Sequence, residues 1–99
     1  MIVEKKTIDI NEKEILDTVE IKDEGEVKYY SYNYKVKSDG RWKIYIRWDN
    51  FQKQPHLDKY DENENLVESE PSRDKTLDEI LELIGIFGKN LVSMDLSRM

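Results

Sequence analysis

Between Arg47 and Asp58 the chain gathers a guanidinium, two carboxylates, a carboxamide and its single imidazole: Arg47-Trp48-Asp49-Asn50, then Pro55-His56-Leu57-Asp58. A carboxylate beside a histidine orients the ring and stabilises its cation, so the imidazole can act as a general base. Arginine and asparagine can hold a phosphate or an oxyanion. Metal binding could draw on the same side chains. One histidine with scattered acids is a thin ligand set, however, and Asp61-Glu62-Asn63-Glu64 lacks the spacing and the glycine of a calcium loop. The expectation is a site without metal or cofactor. Surface pairing of Arg47 and Asp49, a turn cap at Asn50 and an exposed His56 after proline are the plainer account of the same residues.

These groups need a strand to position them. From Trp42 to Asp49 large apolar residues alternate with polar ones, the period of a half-buried strand. Trp42, Ile44, Ile46 and Trp48 share one parity; Lys43, Tyr45, Arg47 and Asp49 share the other. His56, Asp58 and Tyr60 share a parity opposite Leu57. If Leu57 points inward, His56, Asp49, Asp58 and Arg47 line one groove as the catalytic set. Asn50, Tyr45, Tyr60 and Lys43 then join them as binding residues.

Further strands are predicted over residues 2–10, 15–22 and 27–36. Asn11 and Glu14 could cap a short helix instead. The β-branched Ile15, Thr18, Val19 and Ile21 favour strand. Gly25 and Asp39-Gly40 mark tight turns. Residues 57–60 and 66–68 read as a second hairpin, and 70–74 as a linker around Pro71. The final element is a helix from about Leu77 to about Val92. Thr76 and Glu79 form its capping box, and Leu77, Ile80, Leu81, Ile84, Phe87, Leu91 and Val92 its apolar face. Gly85 or Gly88 could end it early. Gly85-Ile86-Phe87-Gly88-Lys89 is not a phosphate loop, because the glycines are too close and no Ser or Thr follows the lysine.

The expected fold is α+β: an antiparallel β-meander of four to six strands with one C-terminal helix packed on one face, in a single domain over residues 1–99. Six tyrosines and two tryptophans in regular patterns argue against disorder, despite 38% charged residues. The absence of cysteine excludes disulfides, thiolate catalysis and cysteine–zinc sites, and suits a cytoplasmic protein. No segment has the apolar length of a signal peptide or membrane span. Abundant Lys and Glu without Cys also fits a thermophile.

The net charge of −6 is unevenly spread. Residues 27–60 hold eight bases and three acids and carry nine of the ten aromatics, between two acidic flanks. Basic residues interleaved with aromatics can bind phosphates and stack on bases, so RNA is a candidate partner. A sheet that buries aromatics and exposes charges would show the same composition. The acidic flanks would repel a polyanion at long range.

Tyr30-Ser31-Tyr32-Asn33-Tyr34, a turn, Arg47-Trp48-Asp49-Asn50, a histidine loop and the terminal Thr76-Leu77-Asp78-Glu79-Ile80-Leu81 together resemble the TumE-type proteins, toxin components of bacterial and archaeal toxin–antitoxin pairs. The pattern Asp49-Asn50, four residues, Pro55-His56, one residue, Asp58 is similar also to archaeal families of unknown function. The resemblance spans roughly residues 27–92 and matches at Arg47, Asp49, Asn50 and His56. Where the TumE-type loop carries a second histidine two residues on, this chain has Asp58. The resemblance implies a toxin–antitoxin-like component acting by binding a protein or RNA. Two alternatives stand beside it. One is a small metal-independent ribonuclease using His56 with Asp49 or Asp58 and Arg47. The other is a homodimer joined through the uncovered sheet face, with no ligand.

Overall fold

The computed structural model describes residues 1–96 and 99. Six strands form one sheet: β1 (Ile2–Asn11), β2 (Glu14–Asp23), β3 (Glu26–Ser38), β4 (Arg41–Asp49), β5 (His56–Tyr60) and β6 (Leu66–Pro71). They lie in chain order, and every neighbouring pair is antiparallel. Helix α1 (Leu77–Phe87) follows. Residues 14–23 are therefore strand, as their β-branched content predicts. Pairing also reaches further into the expected linker, because Glu70 and Pro71 extend β6 opposite Leu57 and His56. Proline is tolerated there because β6 is an edge strand and needs no outward N–H.

Two hairpins turn on residues in the left-handed region, Glu24-Gly25 (φ 52° and 81°) and Asp39-Gly40 (φ 53° and 78°). Such turns match the right-handed twist of the strands they join.

The core lies on one side of the sheet. Leu16, Tyr30, Tyr32, Tyr34, Val36, Ile46, Trp48 and Leu57 form one buried cluster with Ile80 and Ile84 of α1 and with Leu91 and Leu96 beyond it. Tyrosine in a core needs a partner for its hydroxyl. Tyr32 donates to Glu20 at 2.7 Å, and Tyr34 donates to Glu14. Tyr30 stacks on Tyr32 with ring centroids 4.8 Å apart and donates to Asp74 at 3.3 Å. Its oxygen accepts from the Lys75 amide at 3.2 Å, joining β3 to the segment that leads into the helix.

Helix α1 begins at the expected capping box. Thr76 Oγ1 accepts from the Glu79 amide at 3.2 Å, and Glu79 Oε1 accepts from the Thr76 amide at 3.3 Å. The helix ends at Gly88, sooner than the apolar spacing predicts. Gly88 has φ 53°, which an alanine-like residue adopts only at a cost. A 3-10 helix over Gly88–Ser93 then carries Leu91 into the core.

The alternation read for β4 is broken in the middle. Tyr34 pairs with Ile46, but Lys35 pairs with Ile44, so Tyr45 is the extra residue of a β-bulge. A bulge shifts the parity of everything beyond it by one. Ile46 and Trp48 are buried in the core, whereas Ile44 and Trp42 share the opposite face with Arg47. Trp42 is accordingly half-exposed, with the Lys37 ammonium 5.8 Å from its ring centroid.

Candidate functional site

The face of the sheet turned away from the helix carries a polar cluster built from β4 and β5. Asp49 pairs with His56 across the ladder, and Arg47 with Asp58. Residues directly opposite in an antiparallel pair project to the same side, so all four side chains emerge together. Leu57 and Trp48 pair between them and are both buried on the other side, which fixes this direction.

His56 Nε2 lies 3.4 Å from Asp49 Oδ1 and 3.7 Å from Asp58 Oδ2. The other ring nitrogen, Nδ1, lies 3.0 Å from the Gln54 carbonyl oxygen. A carbonyl only accepts, so Nδ1 carries the proton in that bond and Nε2 is the nitrogen turned toward the carboxylates. The Asp49 side chain is 10% exposed, Asp58 15% and His56 29%, so the ring forms the open side of the cluster.

The loop between the strands sets this geometry. Asp49 Oδ1 accepts from the Phe51 amide at 3.0 Å and starts a 3-10 turn over Phe51–Lys53. Gln52 and Lys53 hold φ of 57° and 60°, a conformation that costs side-chain-bearing residues energy and recurs at functional loops. The Ser72 amide donates to the Pro55 carbonyl at 3.0 Å and secures the far end of the loop.

Arg47 is held from β3. Its Nε donates to Asn33 Oδ1 at 2.7 Å, and Asn33 Nδ2 donates to Ser31 Oγ at 3.0 Å and to the Asp17 carbonyl at 3.3 Å. Further along the same face, Asp17 accepts from the Lys35 ammonium at 2.7 Å and from the Thr7 hydroxyl at 2.6 Å. Burial pushes the Asp17 carboxyl up, but hydrogen bonds from Lys35 and Thr7 and the lysine's charge outweigh it and leave the group below its ordinary value. Tyr60 joins the cluster. Burial pushes its hydroxyl up, and Asp58 and Asp49 add to this against the opposing charge of Arg47.

Arg47, Asp49, His56, Asp58 and Tyr60 thus come together as the alternation of β5 predicts. Asn50, Tyr45 and Lys43 do not join them. Asn50 instead ties the loop to β3, accepting from the Tyr30 amide at 2.8 Å and donating to the Lys28 carbonyl at 3.2 Å. Tyr45 is the bulge residue and packs edge-on against Tyr34 at 6.3 Å, on the helix side. Lys43 pairs with Val36, whose side chain is in the core, so it too is on the helix side. The sequence reading also passed over Asn33 and Ser31. Their parity, opposite the tyrosine stripe of β3, was the signal that would have found them.

A surface depression of about 370 Å³ lies beside His56, bordered by Gln54, Pro55, Ser69, Glu70 and Pro71. A cavity of about 430 Å³ lies elsewhere, between β3 and the start of α1, lined by Glu20, Tyr30, Tyr32, Asp74 and Lys75 among others. Its tyrosines are already engaged, Tyr32 with Glu20 and Tyr30 with Asp74 and the Lys75 amide. Among the described residues, no helix is long and apolar enough to cross a membrane.

No curated protein and no solved structure matches the chain. A family model does match, over residues 3–83, from the first strand into the helix. The chain is therefore a member of the family described as a domain of unknown function, DUF7718.

Proposed function

We propose that the protein is a small RNA-cleaving component of toxin–antitoxin type, working in the cytoplasm through the β4–β5 cluster. Its frame is a meander covered by the helix on one face only, which leaves the other face open to a ligand. The observation that carries the reading is the placement of His56 Nε2 at 3.4 and 3.7 Å from two carboxylates, next to an arginine held by Asn33. Arg47 binds the scissile phosphate. The cluster takes the proton of the ribose 2′-hydroxyl; its oxygen bonds to phosphorus, the bond to the 5′-oxygen breaks, and that oxygen takes a proton from solvent. The Arg47-Trp48-Asp49-Asn50 and His56 motifs shared with TumE-type toxins support the same assignment. A protein partner or second copy laid over this face would occlude the cluster, which is how an antitoxin would silence it.

The test is cleavage of single-stranded RNA by purified protein, beside growth on expression. His56→Ala and Arg47→Ala should each abolish cleavage and relieve growth arrest while the circular dichroism spectrum stays native. RNA left intact by the parent protein, or cleavage indifferent to both changes, would overturn the proposal.

A further inference from the structure

From the same cluster we infer that Asp49, His56 and Asp58 form a binding site for one divalent transition-metal ion, with zinc as the best-fitting occupant. One donor atom from each residue lies within 4.8 Å of the others. A tetrahedral zinc centre has arms of roughly 2.0–2.2 Å, which places its ligand atoms about 3.3–3.6 Å apart. The two edges from Nε2, 3.4 and 3.7 Å, match such a tetrahedron to within a few tenths of an ångström, and the two carboxylates would close the third edge, within 4.8 Å, on binding. They are long for a hydrogen bond from the ring.

Two independent features point to a cation. The first is the ring's orientation. Nδ1 is fixed by the Gln54 carbonyl, the outer contact that metal-bound histidines use to set their tautomer, and this presents Nε2 to the carboxylates. The second is charge. Asp49 and Asp58 are 10% and 15% exposed, yet among the described residues neither forms an ion pair with a lysine or arginine. Arg47, opposite Asp58 in the ladder, gives its Nε to Asn33 instead. Carboxylates removed from water need a cationic partner, and a divalent ion supplies it at the one point both of them face.

An imidazole with two carboxylates and no thiolate suits zinc or manganese; zinc stands higher in the affinity order of divalent ions. Three protein ligands leave a fourth position, on the open side of His56, for water. That is the composition of a catalytic rather than a structural centre. The inference deepens the ribonuclease reading and rests on the same residues. With Asp49, His56 and Asp58 holding it, the ion would supply an acidified water, and His56 would then serve as a ligand rather than as a free base.

The experiment is titration of chelator-treated full-length protein with zinc chloride, followed by calorimetry and by thermal unfolding, with manganese and magnesium for comparison and no RNA present. One equivalent should bind and raise the melting temperature, with zinc tightest. His56→Ala and Asp58→Asn should each weaken zinc binding by more than the roughly hundredfold typical of outer contacts. Asp58→Asn preserves shape, so its loss of binding is separable from misfolding. Absence of saturable one-to-one binding, or unchanged binding in both variants, would overturn the site. RNA cleavage that persists in excess chelator would overturn the metal's part in the reaction while leaving the ribonuclease reading intact. Stoichiometric zinc without RNA cleavage would uphold the site and remove that reading.

Discussion

Replacing Lys59 should destabilise the protein far more than its count of contacts suggests, and a second substitution should restore most of the loss. Lys59 projects to the helix side, beside Leu57, and is only 4% exposed. Its ammonium donates to the Met94 carbonyl and lies 3.8 Å from Glu70 Oε1 and 3.6 Å from Glu68. Glu68 is half-exposed, so that pair is screened and adds little. Glu70 is different: its Oε1 is buried and has no hydrogen-bond partner, so Lys59 is what compensates it. Lys59→Met keeps the aliphatic stem and removes the charge, leaving the carboxylate buried and alone. Breaking a buried pair in this way costs about 3–5 kcal/mol. For a chain of this length about 1 kcal/mol moves the melting temperature by roughly 4–8 °C, so even the lower bound lowers it by more than 10 °C. Replacing both members with apolar residues removes the orphan. Lys59→Met with Glu70→Leu should therefore recover about 2 kcal/mol or more relative to the single variant. Urea unfolding of the parent, both single variants and the double variant completes the cycle. If the double variant is no more stable than Lys59→Met, the pair is not coupled and the account of Glu70 is wrong. The variant also probes the site from beneath, because Lys59 sits between Asp58 and Tyr60 on a strand of five residues.

Thr76→Ala removes the acceptor for the Glu79 amide and should cost about 0.5–2 kcal/mol in urea unfolding, with Thr76→Ser close to the parent; equal losses in the two variants would argue against a capping role. Stability should also fall in alkali. Burial, only partly offset by the Lys75 amide and reinforced by Asp74, pushes the Tyr30 hydroxyl up to about 12. Burial and then Glu20 or Glu14 push Tyr32 and Tyr34 up as well. Folded values above the unfolded one of about 10 mean full stabilisation below pH 10, lost as pH rises toward the folded values. A urea midpoint that stays flat from about pH 9 to 11 would reject this.

Local alternation made much of this protein legible. The alternation over residues 56–60 sets His56, Asp58 and Tyr60 opposite Leu57, and the burial of Leu57 fulfils the condition on which their grouping depends. The tyrosines of β3 were readable as core for the same reason. The bulge at Tyr45 was not readable, because no glycine or proline marks it and the composition of Trp42–Trp48 suits an unbroken strand. That one extra residue moved Trp42 and Ile44 across the sheet and removed Tyr45 and Lys43 from the site. Asn50 stands apart from the cluster because its carboxamide bonds two backbone groups of β3, a long-range contact that spacing along the chain does not encode. The buried Lys59 was legible in principle, since it shares parity with Leu57, but a lysine is ordinarily assigned to water. Gly88 rather than Gly85 ends the helix, and only the backbone angle tells the two apart.

The bulge also gives the open face two unlike ends along a single strand. Before it, β4 offers the indole of Trp42 and the side chain of Ile44; after it, the guanidinium of Arg47 and the carboxylate of Asp49. The stretch from Trp42 to Arg47 covers roughly 15 Å at the usual rise of a strand. A mononucleotide is too short to touch both ends. On the proposed ribonuclease reading, an oligonucleotide of a few residues would rest a base on the indole while a phosphate further along its backbone meets the guanidinium, so that strand length rather than sequence would govern recognition.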